Sequence, residues 1–163
     1  MPDLTSLAAS LGALLKDRGQ TVAVAESAAG GLISAALVAV PGASAYYLGG
    51  SVIYTQASRR GILHMPDEAY AGMRASTEPY ALLNARAIRE HVGATWGLGE
   101  TGASGPTGNR YGDAAGHTCV AVAGPQEASR TLETGSADRL TNMYEFTRSA
   151  LTLLVESLRA QAT

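Results

Sequence analysis

The sequence predicts an α/β protein: a single three-layer α/β/α sandwich, one domain over residues 1–163, around a mixed, mostly parallel sheet. Three observations carry this. Short apolar runs of strand type alternate with segments of helical periodicity through most of the chain, the pattern of a sheet covered by helices on both faces. Two of those runs open directly into glycine-containing segments, one of them leading into a helix. The last two runs are separated by Gly124-Pro125 and read as a hairpin, which makes the sheet mixed. A length of 163 residues suits one domain, since domains cluster near roughly 100–150 residues. A chain of that size buries about 70% of the surface it exposes when unfolded, so it needs no disulfide or metal to fold.

The elements follow in order. Leu4, Leu7, Leu11, Leu14 and Leu15 recur at helical spacing, with Asp3 or Thr5 as N-cap and Gly19 as the stop. Thr21–Ala25 reads as a buried strand that runs into Glu26-Ser27-Ala28-Ala29-Gly30-Gly31, and Leu32, Ile33, Ala36, Leu37 and Val40 form a helix ended by Pro41-Gly42. Tyr46–Tyr54 is a strand, and Thr55 caps a short helix reaching Leu63. Ser76-Thr77-Glu78-Pro79 starts a helix with proline in its first turn, and Gly93 ends it after Val92. Thr95–Thr101 is the next strand, and 102–115 is too polar and glycine-rich for a regular element. Thr118–Ala123 and Arg130–Glu133 make the hairpin, and a last helix runs from Asp138 to Arg159.

Composition narrows the function. The net charge of −2 provides no basic field and speaks against a nucleic-acid partner, which is bound by neutralising phosphates. No apolar run approaches the roughly 18 residues of a membrane span, and residues 1–20 have no signal-peptide pattern, so a cytoplasmic protein is expected. The lone Cys119 lies in an apolar run and reads as a buried structural thiol. His64, His91 and His117 have no metal-ligand spacing, so neither metal nor cofactor is expected. Asp67-Glu68 reads as solvated surface. Lys16 is the only lysine.

Three segments are suited to chemistry. Glu26–Gly31 puts a hydroxyl and two glycines ahead of a helix N-terminus, where unpaired amides favour an anion; alternatively Ser27 or Ala28 merely caps the helix. Glu100–Arg110 is a long loop directly after a strand, in the place where ligands collect on open α/β sheets. Tyr54–Arg60 is a second strand-to-helix junction; otherwise it is a solvated first turn.

In order and spacing these segments resemble the CinA C-terminal family, also found as stand-alone nicotinamide-mononucleotide deamidases. The resemblance spans nearly the whole chain. It rests on Glu26-Ser27 with Gly30-Gly31, on Val40-Pro41-Gly42-Ala43-Ser44-Ala45 followed by Leu48-Gly49-Gly50, on Tyr54, and on Thr101-Gly102-Ala103-Ser104-Gly105-Pro106. It implies an α/β sandwich that hydrolyses the carboxamide of nicotinamide mononucleotide, releasing ammonia, and that forms a homo-oligomer. It places the serine nucleophile on Ser27, the tyrosine on Tyr54 and a general-base lysine on the position of Arg59. Glu26, Ala28, Ala29, Gly30, Gly31, Thr101, Gly102, Gly105, Arg110 and Arg139 are the implied substrate-binding set, with amides at Ala28–Gly31 holding an oxyanion.

Three departures matter. The family's Glu-Ser-Cys-Thr-Gly-Gly becomes Glu26-Ser27-Ala28-Ala29-Gly30-Gly31, which loses a hydroxyl. The stretch after Gly105-Pro106 is altered to Gly108-Asn109-Arg110. Most consequential, the lysine that would deprotonate the serine is Arg59, and a guanidinium stays protonated at physiological pH. Three readings therefore stand: a serine amidohydrolase using Tyr54, His64 or Glu26 as base; a nucleotide-binding homologue without catalysis; or an interaction module.

Overall fold

The computed structural model describes residues 3–161. Helix α1 spans Leu4–Asp17, β1 Val22–Glu26, α2 Leu32–Val38, β2 Tyr47–Val52, α3 Gln56–Gly61, α4 Glu78–Val92, β3 Trp96–Ala103, β4 His117–Ala123, β5 Ala128–Glu133 and α5 Arg139–Ala160. The sheet order is β2-β1-β3-β4-β5. β1 pairs in parallel with β2 and β3, whereas β3–β4 and β4–β5 are antiparallel. The sheet is mixed as expected, but its pairings divide equally between the two kinds.

The alternation along each strand assigns its faces. Val22 and Val24 of β1, Trp96 and Leu98 of β3, and Val120 and Val122 of β4 join one core with residues of α1, α2 and α5, among them Leu11, Leu37, Phe146 and Leu154. Ala23 and Ala25 face the other way, toward Ile53, Leu63 and Ile88. Helix α4 rests on that second face. Gly97 and Gly99 explain how closely: a Cβ on them would come within 1.9 Å of the Ala85 carbonyl and 2.1 Å of the Ala81 carbonyl. Only glycine lets the helix backbone approach the strand to that depth.

Element ends follow local chemistry. The Asp3 and Asp138 carboxylates accept the amides of Thr5 and Thr141 and cap α1 and α5. Thr55 and Ser58 form a reciprocal capping box on α3. Two differences from the sequence reading bear on the site, one at the end of β3 and one after α3. The strand continues through Gly102 and Ala103, because β4 begins at His117 and offers a partner opposite Ala103. A one-turn 3-10 helix, Asp67–Tyr70, follows α3 where the sequence has only a break. Among the described residues, no helix is long and apolar enough to cross a membrane, and no cluster of His, Cys, Asp and Glu could hold a metal ion.

Candidate functional site

β1 and β3 run in parallel, so the turn after Glu26 and the end of β3 lie side by side at one edge of the sheet. The turn is shaped from below by two fully buried carboxylates. Glu26 accepts the amides of Gly31 (2.8 Å), Ile33 (3.1 Å) and Ser34 (2.9 Å) and so closes the N-terminus of α2. Glu100 Oε2 accepts the amides of Ser27 (3.0 Å) and Ala29 (2.9 Å), and its Oε1 accepts the Thr118 hydroxyl at 3.0 Å. Gly30 and Gly31 turn the chain with φ of 66° and 101°, a region that disfavours side chains.

This geometry revises the expectation that amides at Ala28–Gly31 wait for an oxyanion. Ala29 and Gly31 donate to the two glutamates, and Gly30 donates to the Ser27 carbonyl. Glu26 is spent on the helix and fully buried, so it neither contacts a ligand nor serves as a base for Ser27. Its burial is tolerated because three N–H groups solvate the charge. Glu100 is held up at about 7 by burial, against its amide bonds, with the Glu26 charge adding to the rise.

Above the turn lies a cleft of about 340 Å³ lined by Ser27, Tyr54, Arg59, Tyr80, Thr101 and Arg110, with Tyr111 and Met73 at its rim. Tyr54 also walls an adjoining hollow of about 220 Å³ formed by Ala28, Gly102, Gly105, Gly108, Asn109 and Arg139. The two hollows bring together Ser27, Tyr54, Arg59, Ala28, Thr101, Gly102, Gly105, Arg110 and Arg139. Glu26, Ala29, Gly30 and Gly31 support the turn and line neither. Among the described residues, three arginines and no carboxylate line the two hollows, a surface suited to an anion.

Each polar wall residue has a defined attachment. Arg139, the first residue of α5, donates to the Tyr54 hydroxyl at 2.8 Å and to the Gly105 carbonyl. The Thr101 hydroxyl accepts the Ser76 amide at 3.1 Å, which leaves its hydrogen free to donate into the cleft. The Ser27 hydroxyl makes no hydrogen bond among the described residues. Asn142, fully buried on α5, donates to the Ser104 and Ser136 carbonyls and holds the glycine loop from inside.

Arg59 is the best-anchored cation of the cleft. Only 5% of its surface is exposed. It donates to Asp67 and to the Tyr80 hydroxyl, and its guanidinium lies 4.0 Å from the centre of the Tyr70 ring. Burial opposes its charge, but the Tyr80 and Asp67 contacts outweigh that and bind its proton more tightly than usual. Its Nε is buried without an acceptor among the described residues. Asp67 lies on the surface, as the sequence reads it, and there it also clamps Arg59 and Arg60; its pKa is lowered to about 2, chiefly by Arg60. Lys16 donates to the Pro41 carbonyl on α1's side of the molecule, and His64 lines neither hollow.

A family model described as the CinA C-terminal domain matches residues 4–158. The chain belongs to the CinA C-terminal domain family. A CinA-like protein of Anaeromyxobacter sp. (strain K) is 40% identical over 149 residues, covering 90% of this chain and 36% of that protein. One from Parasynechococcus marenigrum (strain WH8102) is 35% identical over 159 residues, covering 93% and 38%. The chain thus spans little more than a third of the length of these CinA-like relatives. Among solved structures, a CinA superfamily protein of Klebsiella pneumoniae 700603 matches with a TM-score of 0.91 at 25% identity, over 98% of this chain and 100% of that one. The competence/damage inducible protein CihA of Agrobacterium tumefaciens matches at 0.88 and 27% identity, over 98% and 97%.

The sequence places Glu100 only at the head of a candidate loop and Asp67 only on the surface, and it gives Asn142 no role. Glu100 had a usable signal: it follows Trp96 and Leu98 on the inward face of β3, where a carboxylate needs a specific partner. Asp67 and Asn142 carry no such mark, because their partners lie in segments that only the fold brings near.

Proposed function

We propose that this chain binds an anionic nucleotide of the nicotinamide mononucleotide type in the cleft, and that it lacks the base-assisted serine hydrolysis expected of active CinA-family amidases. The observation that carries this reading is Arg59. Where the family resemblance calls for a base, a buried guanidinium is paired with Asp67 and stacked on Tyr70. It cannot take the serine proton, but it lines the cleft with a permanent positive charge suited to a ligand anion. Arg110 and Arg139 add positive charge, and Tyr54, Tyr80 and Tyr111 provide aromatic faces for a flat ring. In isothermal titration, nicotinamide mononucleotide binds with heat and releases no ammonia. Arg59→Ala lowers the affinity on the order of tenfold or more, the scale of one lost charge-assisted contact. Absence of any binding contradicts the reading.

The open hydroxyl of Ser27 favours a second reading, a serine amidohydrolase. Ser27 Oγ would attack the carboxamide carbon, the C–N bond would break with loss of ammonia, and water would cleave the resulting ester. A serine hydroxyl needs a proton acceptor to attack, and of Tyr54, His64 and Glu26 only Tyr54 lines the cleft. Ammonia release from nicotinamide mononucleotide that Ser27→Ala abolishes would establish this reading. If only Arg59→Lys releases ammonia, the scaffold is competent and the base alone is missing.

A further inference from the structure

The two glutamates beneath the Ser27 turn have different work. Glu26 completes a helix in its own segment. Glu100 reaches in from a neighbouring strand, and its Oε2 binds the amides of Ser27 and Ala29, the residues that flank Ala28 at the floor of the ligand hollows. A carboxylate fully withdrawn from water is costly on a strand whose other inward residues, Trp96 and Leu98, are core. Here both of its oxygens are engaged.

The surroundings suit both protonation states of Glu100. The Thr118 hydroxyl lies 3.0 Å from Glu100 Oε1 and 3.2 Å from the Thr101 carbonyl. With Glu100 charged, Thr118 donates to it. With Glu100 neutral, Thr118 turns its hydrogen to Thr101 and accepts the Glu100 proton. No heavy atom has to move, and Oε2 keeps both amides in either state, more strongly when charged. Glu26 on β1 is the charged group that faces Glu100. β4 contributes Thr118, and the side chains that α2 and α5 bury toward this core, including Ile33, Asn142, Phe146 and Thr147, are uncharged.

We propose that Glu100 is a positioning residue of the cleft: from inside the core it fixes the Ser27–Ala29 turn against the ligand, and binding of an anion is linked to its proton. The link follows from charge, since an anion seated by Ser27 disfavours a carboxylate behind the same turn. The proposal rests on the nucleotide-binding reading for its ligand, but the state of the turn is measurable without one.

The first test is therefore on the free protein. The backbone amide resonances of Ser27 and Ala29 shift together between pH 5.5 and 8.5 in the wild type and stay flat in Glu100→Gln, whose carboxamide mimics the neutral acid. Amides that do not titrate in the wild type overturn the proposal, whatever the ligand result. The second test is calorimetry with nicotinamide mononucleotide across the same range, in buffers of differing ionisation enthalpy. Wild-type binding takes up part of a proton and weakens more steeply with rising pH than binding to Glu100→Gln; the ligand phosphate titrates in both and cancels. Glu100→Val, which leaves both amides unpaired, binds about tenfold or more weakly. Identical pH profiles for wild type and Glu100→Gln overturn the proton link, and unchanged affinity in a folded Glu100→Val overturns the positioning role. Titrating amides in a protein that binds no nucleotide would instead sink the nucleotide reading and leave the turn's dependence on Glu100 standing.

Discussion

At the scale of single residues, the cleft is built by side chains whose partners lie far away in sequence. His117, which lines neither hollow, is held in the same way and shows the consequence for pH. Its Nδ1 meets the Glu133 carboxylate and its Nε2 lies 2.9 Å from the Ser76 carbonyl. Both ring nitrogens face acceptors, so both contacts are made together only by the imidazolium. Burial opposes that charge, yet Glu133 and the Ser76 carbonyl outweigh it and raise the pKa above the ordinary histidine value. The sign follows from linkage: this contribution is complete below the unfolded value near 6.5 and is lost as pH rises through the higher folded value. Glu100 acts in the same sense, since its folded pKa of about 7 lies above that of an unfolded carboxylate. Urea unfolding should therefore show stability declining from pH 6 to 8.5, with a shallower decline in His117→Gln. A decline of equal steepness in that variant would remove His117 from the account. Ser27 itself was legible from the sequence as a hydroxyl at a strand-to-helix turn. Glu100 was legible only in part: its place on the inward face of β3 calls for a partner, but the amides that satisfy it are pointed there only by the folded turn.

At the scale of elements, most of the architecture was readable because it is written locally. Asp138 caps α5 through the Thr141 amide, Pro79 lies in the first turn of α4, and Gly124-Pro125 separates the two hairpin strands. What was not readable depends on pairing: β3 outlasts its strand-forming residues because β4 supplies partners for Gly102 and Ala103. The contact of α4 with β3 gives a sharp test. A methyl at Gly99 would stand 2.1 Å from the Ala81 carbonyl, so Gly99→Ala must push α4 away and should cost about 1–3 kcal/mol, measured by chemical denaturation; Gly61→Ala, whose methyl meets nothing within 4 Å and whose backbone is not left-handed, controls for added bulk on a glycine. The turn after α3 makes the second test. Asp67 ties Arg59 and Arg60 to the 3-10 helix. Asp67→Asn should leave the protein folded and weaken nucleotide binding several-fold by freeing Arg59, whereas unchanged affinity would mean that Tyr70 and Tyr80 suffice to hold it.

At the scale of the whole molecule, one CinA-family sandwich brings three separate segments to the same edge of a sheet. The Ser27 turn follows β1, Tyr54 and Arg59 follow β2, and the glycine loop follows β3, consecutive neighbours in the order β2-β1-β3. Their convergence is a property of parallel pairing, which no one of the three segments carries by itself. The crevice's arginines suit an anion, and among the described residues no group that can take a proton from Ser27 hydrogen-bonds to it. The central claim is binding without base-assisted turnover. It is tested most directly by titrating the purified protein with nicotinamide mononucleotide in a calorimeter and assaying the same sample for ammonia. Saturable binding with no ammonia above the buffer control, and binding lost in Arg59→Ala, is the predicted result; sustained ammonia release abolished by Ser27→Ala would contradict it.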